Sequence, residues 1–279
     1  MPGYISTALK KYNHTPPSRL QYAPFKTTPI YYGKTQKIKE TEQNSVRLDK
    51  KGTQQVQQKV GTFLYYGRGV DPTILVALNE IGRQQSKPTI RTMKQLAHLM
   101  DYLYTYPNAV LRFHAGTMQL MVESDASYLV VDGARSRIAG HFYLQANKIF
   151  LNSSEHNAPI LTECVTLKNV VCSAAEAECA GLFHNCQKAI EIRRILQALG
   201  HKQSPTSVKT DNSTTNSFVH TTMKLKKSKT WDMRWNWLRE KEIQDEFKIR
   251  WEKGKNNKAD LFSKHHGPAH HLKSVPNTF

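Results

Sequence analysis

The chain has 279 residues, enough for one large or two medium domains, and 39% of them are hydrophobic, enough for a core. Lys and Arg outnumber Asp and Glu by 40 to 22, a formal net charge of +18; this argues against an ordinary charge-balanced enzyme and points to a polyanionic partner, nucleic acid or an acidic membrane surface. The longest apolar run is ILVAL at 74–78, far short of the ~20 residues of a membrane-spanning helix, and the N-terminal MPGYISTALKKY has no apolar signal core.

In chain order, residues 1–47 are rich in Lys, Thr, Tyr and Pro without a sustained period, and are predicted to form an extended, mostly irregular basic arm. Residues 48–116 form a helical region. Val56, Val60, Phe63 and Leu64 fall on one helical stripe, and Met93, Leu96, Ala97, Met100 and Leu103 on another. Between them, Asp71 reads as an N-cap with Pro72 at the first helical position. From 117 to 279 the pattern changes. Three strands are predicted at 117–128, 136–145 and 160–167, with a loop between the last two. A long helix follows from Ser173 to about Leu199, stopped by Gly200. A fourth strand ends in Asp211, two helices follow, FKIRWEKG makes a fifth strand, and KADLFSKH opens a closing helix. The order β-β-β-α-β-α-α-β-α implies a mixed α/β sheet.

The four cysteines, Cys164, Cys172, Cys179 and Cys186, contain no Cys-x-x-Cys pair, which argues against zinc. The last three are seven apart, so Cys179 and Cys186 share a helix face and read as small core residues.

Four acids occupy informative places. Asp125 is predicted to end the first strand, Glu178 lies early in the long helix, Asp211 ends the fourth strand, and Asp260 lies in the first turn of the closing helix. Strand ends and helix starts gather at one rim of an α/β sheet. Carboxylates gathered there repel one another unless cations sit between them. An all-oxygen set suits Mg²⁺, with Mn²⁺ as the alternative, and two such ions can activate water and stabilise a leaving phosphodiester oxygen. Taken singly, Asp211 and Asp260 also fit plain helix caps. Glu176 and Glu178 separate by role. Ser173-Ala-Ala-Glu176 is a capping box, with Glu176 predicted to reach back to the Ser173 backbone. Glu178 lies about 200° further round the helix, on nearly the opposite face. It is flanked by Cys179, Leu182 and Phe183 and aimed at the sheet rim.

The segments SDAS, SAAEAE, KTDNSTTN and NNKADLFSKHH, in that order and spacing, resemble the RNase H domain of copia-type LTR retrotransposon polyproteins. SKTWDMRWNWLRE (228–240) is similar to that family's basic segment before the last strand. Residues 60–89 and 100–114 are similar to the thumb or connection segment joining polymerase to RNase H, and 1–12 to the stretch after the polymerase palm. The resemblance implies an RNase H-like mixed five-stranded sheet with flanking helices, preceded by a small helical region. It implies that Asp125, Glu178, Asp211 and Asp260 hold two Mg²⁺ ions and cleave the RNA strand of an RNA–DNA hybrid. Two departures stand out. The loop before the last acid, KGKNNK, lacks the histidine many RNases H carry there. His265 and His266 follow Asp260 and read as structural or solvent-exposed. No Asp-Asp pair occurs anywhere, so no polymerase active site is expected.

The basic run KLKKSK supplies Lys224, Lys226, Lys227 and Lys229, joined by Arg234 and Arg239, as phosphate contacts. Asn212 and Asn216 are placed beside Asp211 to reach 2′-hydroxyls. Trp231, Trp235 and Trp237 read as core anchors rather than base-stacking platforms. The expected partners are an RNA–DNA hybrid and the polymerase part of the same polyprotein, with no membrane. The expected location is intracellular, in a cytoplasmic retrotransposon particle or the nucleus. Two other readings stay open: a catalytically inactive nucleic-acid-binding fragment of the same polyprotein, and a transposase or integrase. The latter typically shows the acid order Asp-Asp-Glu, against Asp-Glu-Asp-Asp here.

Overall fold

The computed structural model describes residues 1–26, 46–131, 133–146, 157–220 and 229–274, with the backbone alone at 214–216, 218, 229–232 and 274. The chain divides into two units, Met1–Val110 with His265–Val275, and a second beginning with Leu111–Lys264.

In the first unit, helix α1 (Tyr4–Lys11) lies inside the stretch expected to be an irregular arm. Its eight residues are too few for a sustained period, yet Ile5, Ala8 and Leu9 share one buried face. Helix α2 (Lys50–Gly69) is capped by Asp49, whose side chain accepts from the Gly52 N–H, and buries Val56, Val60 and Phe63. Asp71 caps as expected, but the turn it opens is 3₁₀ (Pro72–Ile74) before helix α3 (Leu75–Gln84). Helix α4 (Ile90–Thr105) buries Leu96, Leu99, Met100 and Leu103; Ala97, expected on that stripe, is exposed, and Leu99 takes the position. The chain returns to this unit after Lys264. His265 pairs with Glu80 at 2.8 Å and packs edge-on to Phe25, a structural role.

The second unit carries strands β1 (Gly116–Val131), β2 (Arg135–Ala146), β3 (Pro159–Thr166), β4 (Thr206–Thr210) and β5 (Phe247–Trp251). They form the expected mixed sheet, in order β3-β2-β1-β4-β5. The β1–β2 and β2–β3 pairs are antiparallel, and β1–β4 and β4–β5 are parallel. Helices α5 (Ala174–Ala198), α6 (Ser213–His220), α7 (Lys229–Ile243) and α8 (Asp260–Ser263) surround it in sequence, with α9 (Pro268–Ser274) in the first unit. The loop expected between β2 and β3 falls largely outside the described residues.

One core cluster joins sheet and helices: Val122 and Phe142 meet Cys179, Leu182 and Cys186 of α5, and Trp235 and Leu238 of α7. The cysteine spacing therefore marks the buried face of α5, and Trp235 is an anchor with 1% exposure. Helix α5 ends as its sequence dictates. Gly200 takes a left-handed φ of 89°, and the His201 N–H reaches back to the Leu196 carbonyl.

Gly140, in β2, is fixed by space. A Cβ there would lie 2.3 Å from Asn185 Oδ1 and 2.7 Å from Phe142 Cε2. Asn185 is itself pinned, donating to Ser124 Oγ and to the Ala139 carbonyl. Gly140→Ala is expected to lower stability by about 1–3 kcal/mol through overpacking, read as a lower urea midpoint at unchanged m-value; an unchanged midpoint would show that this contact can give way.

Candidate active site

Strand register brings two acids side by side. The parallel β1–β4 ladder ends at Ser124 against Thr210, so the next residues on the two chains are Asp125 and Asp211. Asp125 was expected to end its strand, but β1 continues to Val131, with Asp125 paired to Ala139 of β2. The reason is burial: Glu123, Ser124, Asp125 and Ser127 are all enclosed. A run that reads as a polar turn is thus polar strand interior. Asp211 does follow the end of β4, and its carbonyl accepts from the Trp251 indole N–H at 2.9 Å. Gly254 packs over its side chain; a Cβ there would stand 2.7 Å from Asp211 Oδ2.

Glu178 reaches the same place from α5. Its Oε1 accepts from the Ala126 N–H at 3.2 Å. Carboxylate oxygens of Asp125, Glu178 and Asp211 lie within 4.8 Å of one another. Asp260 opens α8 as expected, and its charge acts on both Asp125 and Asp211. The structure therefore gathers three of the four acids, and Asp260 is linked to them through the Lys264 ammonium, which bonds to Asp260 and lies 3.7 Å from Asp125 Oδ2.

Glu176 is separate. Ser173 Oγ accepts from the Glu176 N–H at 3.2 Å, completing the expected cap. Glu176 itself accepts from the Cys172 N–H, not from the Ser173 backbone as predicted. The side chain overshoots by one residue and satisfies the donor just outside the helix.

The electrostatics follow from crowding. Burial, then the charges of Asp125 and Asp211, push Glu178 well above the usual carboxylate range. Asp125 is pushed up to about 6, by burial first; Asp260 and Asp211 add to this, and Lys264 and the Ser263 hydroxyl oppose it. Asp211 is also raised, by burial first and then by Asp260, against Lys264. Lys264 was not singled out by sequence. Its ammonium bonds to Asp260 and lies 3.7 Å from Asp125 Oδ2. The Asp260–Lys264 spacing of four was the one signal that could have found it. Ser263, also missed, donates to Asp125 from a fully buried position. Arg137 holds the Ser263 carbonyl at 3.3 Å. Asn257 ties the preceding loop to the Ser124 carbonyl at 2.8 Å and caps the Ala259 N–H.

The donor set fits a hard divalent cation. All four side chains offer oxygen, and Glu178 Oε2 is buried with no hydrogen-bond partner. An unsatisfied buried carboxylate oxygen is costly unless a cation takes it.

Of the expected nucleic-acid contacts, Lys224, Lys226 and Lys227 lie outside the described residues, as do the side chains of Lys229 and Asn216, and so does the side chain of Trp231, expected as a core anchor. Arg234 is half-buried, its guanidinium 5.9 Å from the centre of the Phe183 ring. Arg239 is half-buried on α7. Asn212 follows Asp211 directly, with its N–H donating to Thr210 Oγ1.

No family model matches the chain, and no curated protein matches it. Its likenesses are to solved structures. The N-terminal RNase H domain of a Mycobacterium tuberculosis protein, solved as a maltose-binding-protein fusion, aligns at TM-score 0.37 and 12% identity, over 57% of this chain and 99% of that one. LC11-RNase H1 in complex with RNA/DNA hybrid aligns at 0.37 and 11%, over 51% and 92%. The foamy viral protease-reverse transcriptase in complex with dsDNA aligns at 0.46 and 16%, over 79% of this chain and 42% of that one.

Two predictions follow from the charges. Asp125 is an acid raised in the fold, so between about pH 4 and 6 the folded state keeps a proton that the unfolded state releases. Without metal, stability should therefore fall as pH rises through that window. Asp125→Asn should remove on the order of 2–3 kcal/mol of that fall, seen as a flatter pH profile of urea midpoints in EDTA; superimposable profiles would contradict it. For the glutamates, Glu176→Ala should cost roughly 0.5–1 kcal/mol, while metal-free Glu178→Gln should melt no lower than wild type. The reverse order in paired EDTA melts would exchange their roles.

Proposed function

We propose that the chain is a ribonuclease H, a metal-dependent endonuclease that cuts the RNA strand of RNA–DNA hybrids. The observation that carries this reading is the meeting of Asp125, Glu178 and Asp211 within 4.8 Å, with Asp260 linked to Asp125 through Lys264, in a chain of net charge +18. Asp125, Glu178, Asp211 and Asp260 would hold Mg²⁺, or Mn²⁺ in its place. A pair of bound ions would lower the pKa of a water and stabilise the leaving oxygen of the phosphodiester. The protein's own groups aim the acids: the Ala126 N–H fixes Glu178, the Ser263 hydroxyl fixes Asp125, and the Trp251 indole fixes the backbone of Asp211. Burial of Asp125 and Glu178 limits bulk water at the ligands.

A hybrid offers 2′-hydroxyls on one strand only, across a wide minor groove. Asn212 and Asn216 are the groups proposed to sense them, and Lys224, Lys226, Lys227, Lys229, Arg234 and Arg239 to hold phosphates. The resemblance of the quoted motifs supports a copia-type retrotransposon reverse transcriptase as the parent protein, with the polymerase part as partner. The absence of any Asp-Asp pair in the sequence supports RNase H without polymerase chemistry in this chain. Among the described residues no helix is long and apolar enough to cross a membrane. We place the protein's work inside the cell, in a retrotransposon particle or the nucleus.

A labelled hybrid incubated with the chain and Mg²⁺ should lose its RNA strand, while duplex DNA stays intact and EDTA stops the reaction. Glu178→Gln should slow cleavage by orders of magnitude, since the buried Oε2 acceptor and one negative charge are lost together. Binding with no cleavage under any divalent ion would favour the inactive nucleic-acid-binding reading. Equal cutting of duplex DNA would end the RNase H reading.

A further inference from the structure

Lys264 competes for the oxygens that the reading above gives to metal. Its ammonium bonds to Asp260 and lies 3.7 Å from Asp125 Oδ2. The same cation opposes the charges of Asp125, Asp211 and Glu178.

The local structure explains how it gets there. Helix α8 is a single turn, and Lys264 is its C-cap, in extended backbone at φ −122° and ψ 161°. Ser263 beside it is locked, fully buried between Asp125 and Ser127. That lock delivers the next residue to the mouth of the cluster. The Lys264 side chain is nevertheless 41% exposed, against 1% for Asp125. A long, half-exposed stem can turn out to solvent without disturbing the packing behind it.

We propose that Lys264 is an internal counter-ion of the four-acid cluster: it holds the carboxylates together without metal, and gives up Asp125 and Asp260 when a divalent cation binds. The device sets two properties at once. It protects the metal-free protein from the repulsion of its own site, and it weakens metal affinity by requiring an ammonium to leave. The proposal rests on the cluster's being a metal site, and its test uses no nucleic acid.

The full chain would be prepared as wild type, Lys264→Met, Lys264→Arg and Lys248→Met. The last removes the same charge from an exposed position of β5. Two readouts are taken: thermal melts in EDTA, and Mg²⁺ titration by calorimetry. Lys264→Met is expected to lower the metal-free melting temperature and to tighten Mg²⁺ binding by about tenfold, the order of one nearby charge. Lys264→Arg should keep the metal-free melting temperature near wild type, because the counter-charge remains. Lys248→Met should change Mg²⁺ affinity by less than about twofold. In a Glu178→Gln background the melting loss from Lys264→Met should shrink, since one repelling charge is already gone.

Weaker Mg²⁺ binding in Lys264→Met would overturn the proposal, because the lysine would then assist the ion rather than oppose it. An unchanged metal-free melt would overturn it too. Failure of the chain to cleave a hybrid, with these shifts intact, would remove the nuclease reading and leave Lys264's role standing. Cleavage without these shifts would do the reverse.

Discussion

Repulsion between carboxylates is the constraint around which the second unit is built. Two unit charges 4.8 Å apart at an effective dielectric of ~20 oppose each other by about 3 kcal/mol. The site brings oxygens of three acids within that separation and a fourth acid alongside. Nothing in folding by itself favours such an arrangement. The parallel ladder forces Asp125 and Asp211 together, α5 carries Glu178 in, and α8 opens on Asp260. The Ala126 N–H, the Ser263 hydroxyl and the Lys264 ammonium offset part of the cost.

A second buried glutamate, in β1, shows what full compensation looks like. Glu123 is wholly enclosed, yet its Oε2 accepts from the Lys258 N–H at 2.8 Å and its Oε1 from the Tyr143 hydroxyl, with the Lys209 ammonium 3.7 Å away. Both of its oxygens are served. Glu178 has one oxygen served and one buried bare. Glu123 is closed by its own protein, while Glu178 keeps an unserved oxygen among other acids, where a bound cation would complete it. Burial alone would not separate these two glutamates; the accounting of their oxygens does.

The fold was legible where a period was long enough. Alternation located the strands, the seven-residue cysteine spacing marked the buried face of α5, and Gly200 marked its end. Asp211 and Asp260 stand at element boundaries and Glu178 in the second turn of α5, as motif order and spacing imply, whereas Asp125 lies inside β1 and no boundary marks it. Helix α1 was not, because its period is cut short after eight residues. The length of β1 was not, because buried Ser124, Asp125 and Ser127 have the composition of a turn. Ser263, Lys264 and Asn257 were not, since each acts on a residue more than a hundred positions away in β1. Such contacts leave no local period to read.

The small residues around Glu178 complete the argument. A glutamate side chain reaches the Ala126 N–H only if its helix lies close against the sheet. In α5, Ala177, Ala180 and Gly181 are all buried, and a Cβ at Gly181 would stand 3.3 Å from Ile138 Cγ2 and 3.6 Å from the Asp125 carbonyl. Larger side chains there would lift the helix and withdraw the carboxylate. Gly254 does the same for Asp211 from the other side, leaving no room for a methyl group over Oδ2. A helix this close to a strand gives up apolar area, at about 25 cal/mol per Å², in exchange for a carboxylate held in position. Ala177, Ala180 and Gly181 of CSAAEAECAG are thus explained by reach: their small side chains set the height from which Glu178 meets the other acids.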